Sequence, residues 1–179
     1  MKFASRSIAL LSSLLALSAC KALDKEEPPL CPRVSVLADS AVLTRFAPGA
    51  ARDDNNKLLT VELTSFHGTC RYDPEEQQMR FTIDVGIDAD RFPAMKGQHA
   101  DIAYYVAIPA FYPNPSGKAQ FPLSLDFSDS RHLHVTDEGL KIAIPMAPSL
   151  KDLAKYEVFI GLQLTADELA YNREKRDRH

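Results

Sequence analysis

Three cysteines and a closely spaced histidine pair are the side chains of this sequence whose chemistry depends most on position. Cys20 ends an apolar run behind Leu17-Ser18-Ala19, while Cys31 and Cys70 lie further along. A thiolate binds soft metals, attacks electrophiles or pairs as a disulfide. Neither Cys31 nor Cys70 belongs to a Cys-x-x-Cys spacing, which argues against a metal or redox pair. His132 and His134 are two residues apart, so on a strand both rings share one side. With Asp126 or Asp129 they supply the donor types of a metal site. A polar, solvent-facing strand beside a turn explains them more simply, so no metal or other cofactor is assigned. His67, beside Gly68, and His99 read as bend or surface residues. Asp84 and Asp88 would share a strand face with Arg80, about 13 Å apart, beyond the separation of glycosidase carboxylate pairs. They read as solubilising charges. The chain has no Gly-x-Ser-x-Gly, Ser-x-x-Lys, phosphate-cradling glycine loop or His-Glu-x-x-His. No catalytic residue is therefore assigned, and the chain reads as a non-enzyme.

The setting of Cys20 decides its chemistry. Residues 1–19 are laid out as a cleaved secretory leader, with Lys2 and Arg6 ahead of an apolar stretch over 8–17 and small residues before the cysteine. That stretch is shorter than the roughly 20 residues of a permanent span. The ending Leu17-Ser18-Ala19-Cys20 resembles the lipobox of bacterial lipoproteins. The resemblance implies cleavage between Ala19 and Cys20, a thioether-linked diacylglycerol on Cys20, and acylation of the new amine. Two or three acyl chains exceed the single-chain threshold for stable anchoring. Lys21 stands where an Asp would retain such a protein at the inner membrane. In a Gram-negative host the resemblance thus implies the outer membrane, periplasmic face.

Acylation of Cys20 leaves Cys31 and Cys70 as an even pair in an oxidising compartment, which reads as a disulfide. Closing that loop stabilises by about 4 kcal/mol in the chain-entropy model. The formal net charge is −3, and loss of Lys2 and Arg6 with the leader makes the mature chain more acidic still. Such a balance gives no electrostatic reason to bind nucleic acid or an anionic lipid surface. Residues 20–30 form the lipidated N-terminus and a polar tether ending in Pro28-Pro29. Its stretch over 21–29 spans at most roughly 30 Å when extended. Residues 31–179 are long enough for one domain with a proper core.

Short alternating runs fill that domain. Val34 and Val36 mark a first strand, and 39–57 reads as loop around Pro48-Gly49 and Asp53-Asp54-Asn55-Asn56. Leu59, Val61 and Leu63 alternate with polar residues and run on towards Cys70, with Gly68 expected as a bulge or bend. Phe81, Ile83, Val85 and Ile87 give the clearest strand, with Asp84 and Asp88 on its wet face. Residues 102–108 are apolar on both faces and read as central. Phe121, Leu123, Leu125 and Phe127 follow, with Pro122 pointing outward as on an edge. Leu133 and Val135 start a further strand, which Asp137-Glu138-Gly139 interrupts before Leu140, Ile142, Ile144 and Met146 resume it. The last strand covers 156–164. Thr165 and Glu168 then spell a capping box, and Leu164 with Leu169 a hydrophobic staple, for a helix over 165–175.

About seven strands and one terminal helix describe an all-β, antiparallel β-sandwich of immunoglobulin or fibronectin type. The segments Gly161-Leu162-Gln163-Leu164-Thr165, Glu168-Leu169 and Tyr171-Asn172-Arg173 resemble the tail of an uncharacterised proteobacterial lipoprotein family. That likeness extends loosely over the mature chain and implies no known activity. Two features suit binding: Phe111 and Tyr112 in a proline-rich loop, and Tyr171 with Arg173 on the capped helix. The expected function is a non-catalytic accessory or adaptor, anchored in the membrane through Cys20, that binds another envelope protein. The alternative is a small-ligand or lipid carrier with an aromatic crevice lined by Phe81, Tyr104, Phe121 and Phe159.

Overall fold

A computed structural model of the chain describes residues 30–145 and 156–178. The leader, Cys20 and the tether before Leu30 lie outside those residues, as do Met146 and Pro148. Among the described residues eight strands form: β1 (Val34–Val36), β2 (Val42–Phe46), β3 (Lys57–Asp73), β4 (Gln78–Arg91), β5 (His99–Ala107), β6 (Lys118–Asp126), β7 (His132–Pro145) and β8 (Val158–Leu162). Helix α1 (Ala166–Arg176) closes the described chain. One four-stranded sheet has the order β1-β8-β5-β6 and the other β2-β3-β4-β7. All pairings are antiparallel except β1 with β8, the first and last strands, which run parallel. The all-β, two-sheet architecture with a short terminal helix is the expected one. Its strand order is its own, since an immunoglobulin constant domain groups strands 1-2-5-4 and 3-6-7.

Alternation explains most of this. On β4, Met79, Phe81, Ile83, Val85, Ile87 and Ala89 all face the core and are at most 4% exposed, while Arg80 and Asp90 stand in solvent. Strand β5 sits between β8 and β6 as expected, and β6 is an edge strand whose Pro122 points to solvent. Its proline therefore leaves no missing donor inside the sheet. The two inner faces meet in one cluster that includes Leu43, Val61, Tyr104, Ile160 and Leu162, all at 0% exposure. Helix α1 starts as the residues dictate: Thr165 Oγ1 accepts from the Glu168 N–H at 3.2 Å, and Glu168 Oε2 accepts from the Thr165 N–H at 2.8 Å.

Five expectations are corrected. The stretch 39–57 is not all loop, because β2 lies within it and pairs with β3. Leu43 and Thr44 are both buried, so the strand shows no alternation; one faces the core and the other lies beside α1. Gly68 sits in regular register opposite Ile83, and the bulge of β3 falls between Leu63 and Ser65 instead. There Gly86 makes room, since a Cβ at that position would meet the Ser65 side chain. Asp137-Glu138-Gly139 does not break its strand: β7 continues through a bulge in which Asp137 pairs with Val85 and Leu140 with Ile83. Gly139 has φ +73 and its N–H donates to the Asp84 carboxylate at 2.7 Å. A left-handed residue held by a carboxylate lets the inward face pass from Leu133 and Val135 to Leu140 and Ile144 without ending the strand. Phe159 lies on the outer side of its sheet, between the buried Val158 and Ile160. The last strand spans Val158–Leu162, shorter than expected at both ends.

Candidate functional site

Cys31 and Cys70 are bonded to each other, with Cα atoms 6.1 Å apart. The bond ties the segment just before β1 to β3, and so joins the two sheets at one end of the sandwich. The described chain therefore begins, at Leu30 and Cys31, beside β3.

The loop between β5 and β6 carries Phe111 and Tyr112. Its backbone bonds largely to itself: the Phe111 N–H donates to Ile108 O at 3.0 Å, Tyr112 N–H to Pro109 O at 3.0 Å and Gly117 N–H to Asn114 O at 2.8 Å. The Ile108 N–H closes the base by donating to Gly117 O at 2.8 Å. The rings of Pro109, Pro113 and Pro115 restrict the path further, and the Tyr112–Pro113 bond is cis. Phe111 packs against Tyr156 at 5.1 Å between ring centroids and is half-buried. Gly117 lies directly beneath it, where a Cβ would sit 3.3 Å from Phe111 Cβ. Tyr112 does the opposite and is 85% exposed. One ring anchors the loop and the next is presented by it.

The residues on α1 are engaged within the domain. Tyr171 meets Phe46 of β2 edge-on, with centroids 5.0 Å apart. Arg173 Nε lies 3.1 Å from Asp39 Oδ2, and Arg176 pairs with the same carboxylate. Asn172 Nδ2 donates to Val42 O at 2.6 Å and to Asp39 O at 3.0 Å, so the helix satisfies carbonyls beside an edge strand. Glu168, 7% exposed, accepts from Arg45 Nε at 3.1 Å as well as from its own cap. An open groove of about 410 Å³ remains between Tyr171, Phe46 and the loop carrying Pro48 and Arg52.

The histidines do not meet Asp126 or Asp129 as a cluster. His132 Nδ1 is 2.9 Å from Asp90 Oδ1, and His134 Nδ1 is 2.5 Å from Asp88 Oδ1, each pair facing across the β4–β7 register. Asp126 instead lies 3.5 Å from His99 and caps the turn through Ser128, whose bonds hold its carboxyl below the usual range, with His99 adding to the effect. Among the described residues no three His, Cys, Asp or Glu side chains converge to hold a metal. Sequence spacing placed both rings on one side but missed their partners, because register is not visible in spacing alone.

The expected aromatic crevice is filled rather than open. Tyr104 stacks on Phe121 at 5.2 Å, is wholly buried, and donates its hydroxyl to Asp137 Oδ2 at 2.6 Å across the two sheets. Burial, with the Asp137 bond and charge adding to it, pushes that hydroxyl's pKa well above the usual phenol value. Phe81 is likewise buried. Among the described residues no helix is long and apolar enough to cross a membrane. Comparison of the chain with protein-family models, with curated proteins and with solved structures finds no match in any of the three.

Proposed function

We propose that this chain is a bacterial lipoprotein, acylated at Cys20 and held at the outer membrane facing the periplasm, whose β-sandwich is a non-catalytic accessory that binds another envelope protein. The observation that supports binding is the Phe111–Tyr112 loop. Tyr112 is 85% exposed while its backbone is fixed on both sides and its neighbour Phe111 is half-buried and packed against Tyr156. A rigid, presented aromatic loses little conformational freedom on association, which is the property of an interface anchor. Tyr171 and Arg173 serve that role less well, since they are occupied by Phe46 and Asp39. The adaptor is preferred to a carrier because Tyr104, Phe121 and Phe81 pack on one another or on the core, where a cargo would have to sit.

A photo-crosslinking residue in place of Tyr112, activated in intact cells, should trap a discrete envelope protein. The same probe at Lys175 should trap far less. Equal, diffuse labelling from both positions would refute the loop as the contact. For the anchor, palmitate labelling should disappear in Cys20→Ala, and persistent labelling would rule out the lipoprotein reading.

A further inference from the structure

The outward face of the β3–β4–β7 sheet is divided by charge along its length. At one end the register sets Glu62, Asp88 and His134 side by side, with Asp90 and His132 on a neighbouring rung. At the other end Arg71 lies directly opposite Arg80, and Thr69, Thr82 and Lys141 cross the three strands two residues away. Arg71, Arg80, Thr69, Thr82 and Lys141 are all exposed. They line a recess of about 610 Å³ in that face, together with Phe81 and Ile142.

Folding does not explain this cluster. Like charges directly opposite one another on paired strands destabilise the pair. Asp73 relieves part of it, since its Oδ2 accepts from Arg80 Nε at 2.8 Å while its Oδ1 takes the Glu75 and Glu76 N–H groups. Arg71 and Lys141 have no acidic partner among the described residues. The Nη groups of both arginines and the hydroxyls of Thr69 and Thr82 are likewise left for a visitor.

We propose that this recess binds a phosphate group. Guanidinium forks match phosphate oxygens, lysine adds a point charge, and threonine hydroxyls donate to the same oxygens. Net charge hides the site because it averages in acidic residues such as Glu62, Asp88 and Asp90 at the far end of the same sheet. Cys70 belongs to the same recess, and its bond to Cys31 brings the tether there. The eleven peptide links from Cys20 to Cys31 reach at most roughly 40 Å. A lipid headgroup and a soluble phosphate compound are both within its range. The site itself does not require Cys20 to be acylated, so failure of the anchor would leave it standing.

The test uses the full chain carrying Cys20→Ala, so that it bears no lipid of its own. Titration with inorganic phosphate at constant ionic strength should shift the amide signals of Thr69, Thr82 and Lys141 saturably. Arg71→Ala and Lys141→Ala should each weaken that binding at least tenfold, and Lys175→Ala should not change it. Arg71→Ala should also keep or raise the melting temperature, which separates lost binding from lost folding. Absence of a saturable shift, or its survival in both variants, overturns the proposal. A second arm compares phosphatidylglycerol with phosphatidylcholine vesicles. Capture by the former that is lost in both variants assigns the phosphate to a lipid headgroup, whereas phosphate binding without capture assigns it to a soluble compound.

Discussion

The two sheets of the sandwich are assembled from differently related pieces of chain. In the β2-β3-β4-β7 sheet the central hairpin joins strands of 17 and 14 residues through a short turn, and charge is displayed on its outer face. The β1-β8-β5-β6 sheet is made of strands of three, five, nine and nine residues, and its first pairing joins the two ends of the domain. Its outer face is covered by a hydrogen-bonded network of hydroxyls and amides with one lysine. Ser40 and Tyr105 are hydrogen-bonded at 2.9 Å over Gly161, Lys118 sits 4.3 Å from the Tyr105 ring centroid, and Lys118 and Gln120 both donate to Gln163. The long sheet can carry repelling charges because its hydrogen-bonded ladder is extensive. The short one depends on close packing and on being tied to its neighbour.

Experiments that separate the sheets should show this difference. The largest effect is expected from Cys31→Ser, or from Cys70→Ser, which frees the short sheet's first strand and should lower the unfolding free energy by about 4 kcal/mol in denaturant titration. A cost near zero would mean that the sheets hold together without the bond. Next comes Gly161→Ala. The new Cβ would lie 2.6 Å from Tyr105 Oη and would also meet Ser40 Oγ, so a loss of about 1–3 kcal/mol is expected. Pairing it with Tyr105→Ala should recover part of that loss if the clash is the cause. Gly139→Ala probes the long sheet by another route, since nothing lies within 4 Å of a Cβ there and the cost comes from φ +73 alone, about 1 kcal/mol.

The smallest effects are those of pH. Tyr104 has its folded value raised, so the unfolded chain releases that proton first and stability should fall as pH rises past about 10. That alkaline slope reports the bond from β5 to Asp137 on β7, and Tyr104→Phe should flatten it. Asp73 has its folded value lowered, first by the Glu76 N–H and then by Arg80. Its contribution is present above the unfolded value and should be lost as pH falls through about 4 and below. This acid slope reports the β3–β4 hairpin tip, and Asp73→Asn should remove it. A Tyr104→Phe variant that kept its alkaline slope would break the assignment to the joint between sheets.

Within the long sheet, strands differed in how far residues alone disclosed them. Strand β4 was legible because one face meets the core and the other meets water, which prints a period of two. The capping box of α1 was legible from residue types at a set spacing, and the pairing of Cys31 with Cys70 from the count alone, as the even pair left when Cys20 is set aside. Strand β2 was not, since Thr44 is buried beside α1 while its neighbour Leu43 is buried in the core. The bulge at Gly139 mimicked a break by shifting the parity of its strand. Partners across a register, such as Asp88 with His134 or Arg71 with Arg80, are set by where hairpins and crossovers place the strands. No local pattern carries that information, so the charged recess and the histidine–aspartate pairs could be found from the fold alone.

The covalent link at Cys70 also fixes how the domain would bear a pull. A load applied through the segment before Cys31 has two routes into the body, one along the three-residue β1 and one across the disulfide. The second leads into β3, a strand of 17 residues paired with β2 on one side and β4 on the other. Shear is thereby shared over a long ladder of hydrogen bonds in place of the short β1–β8 pair, which would otherwise be the first to part.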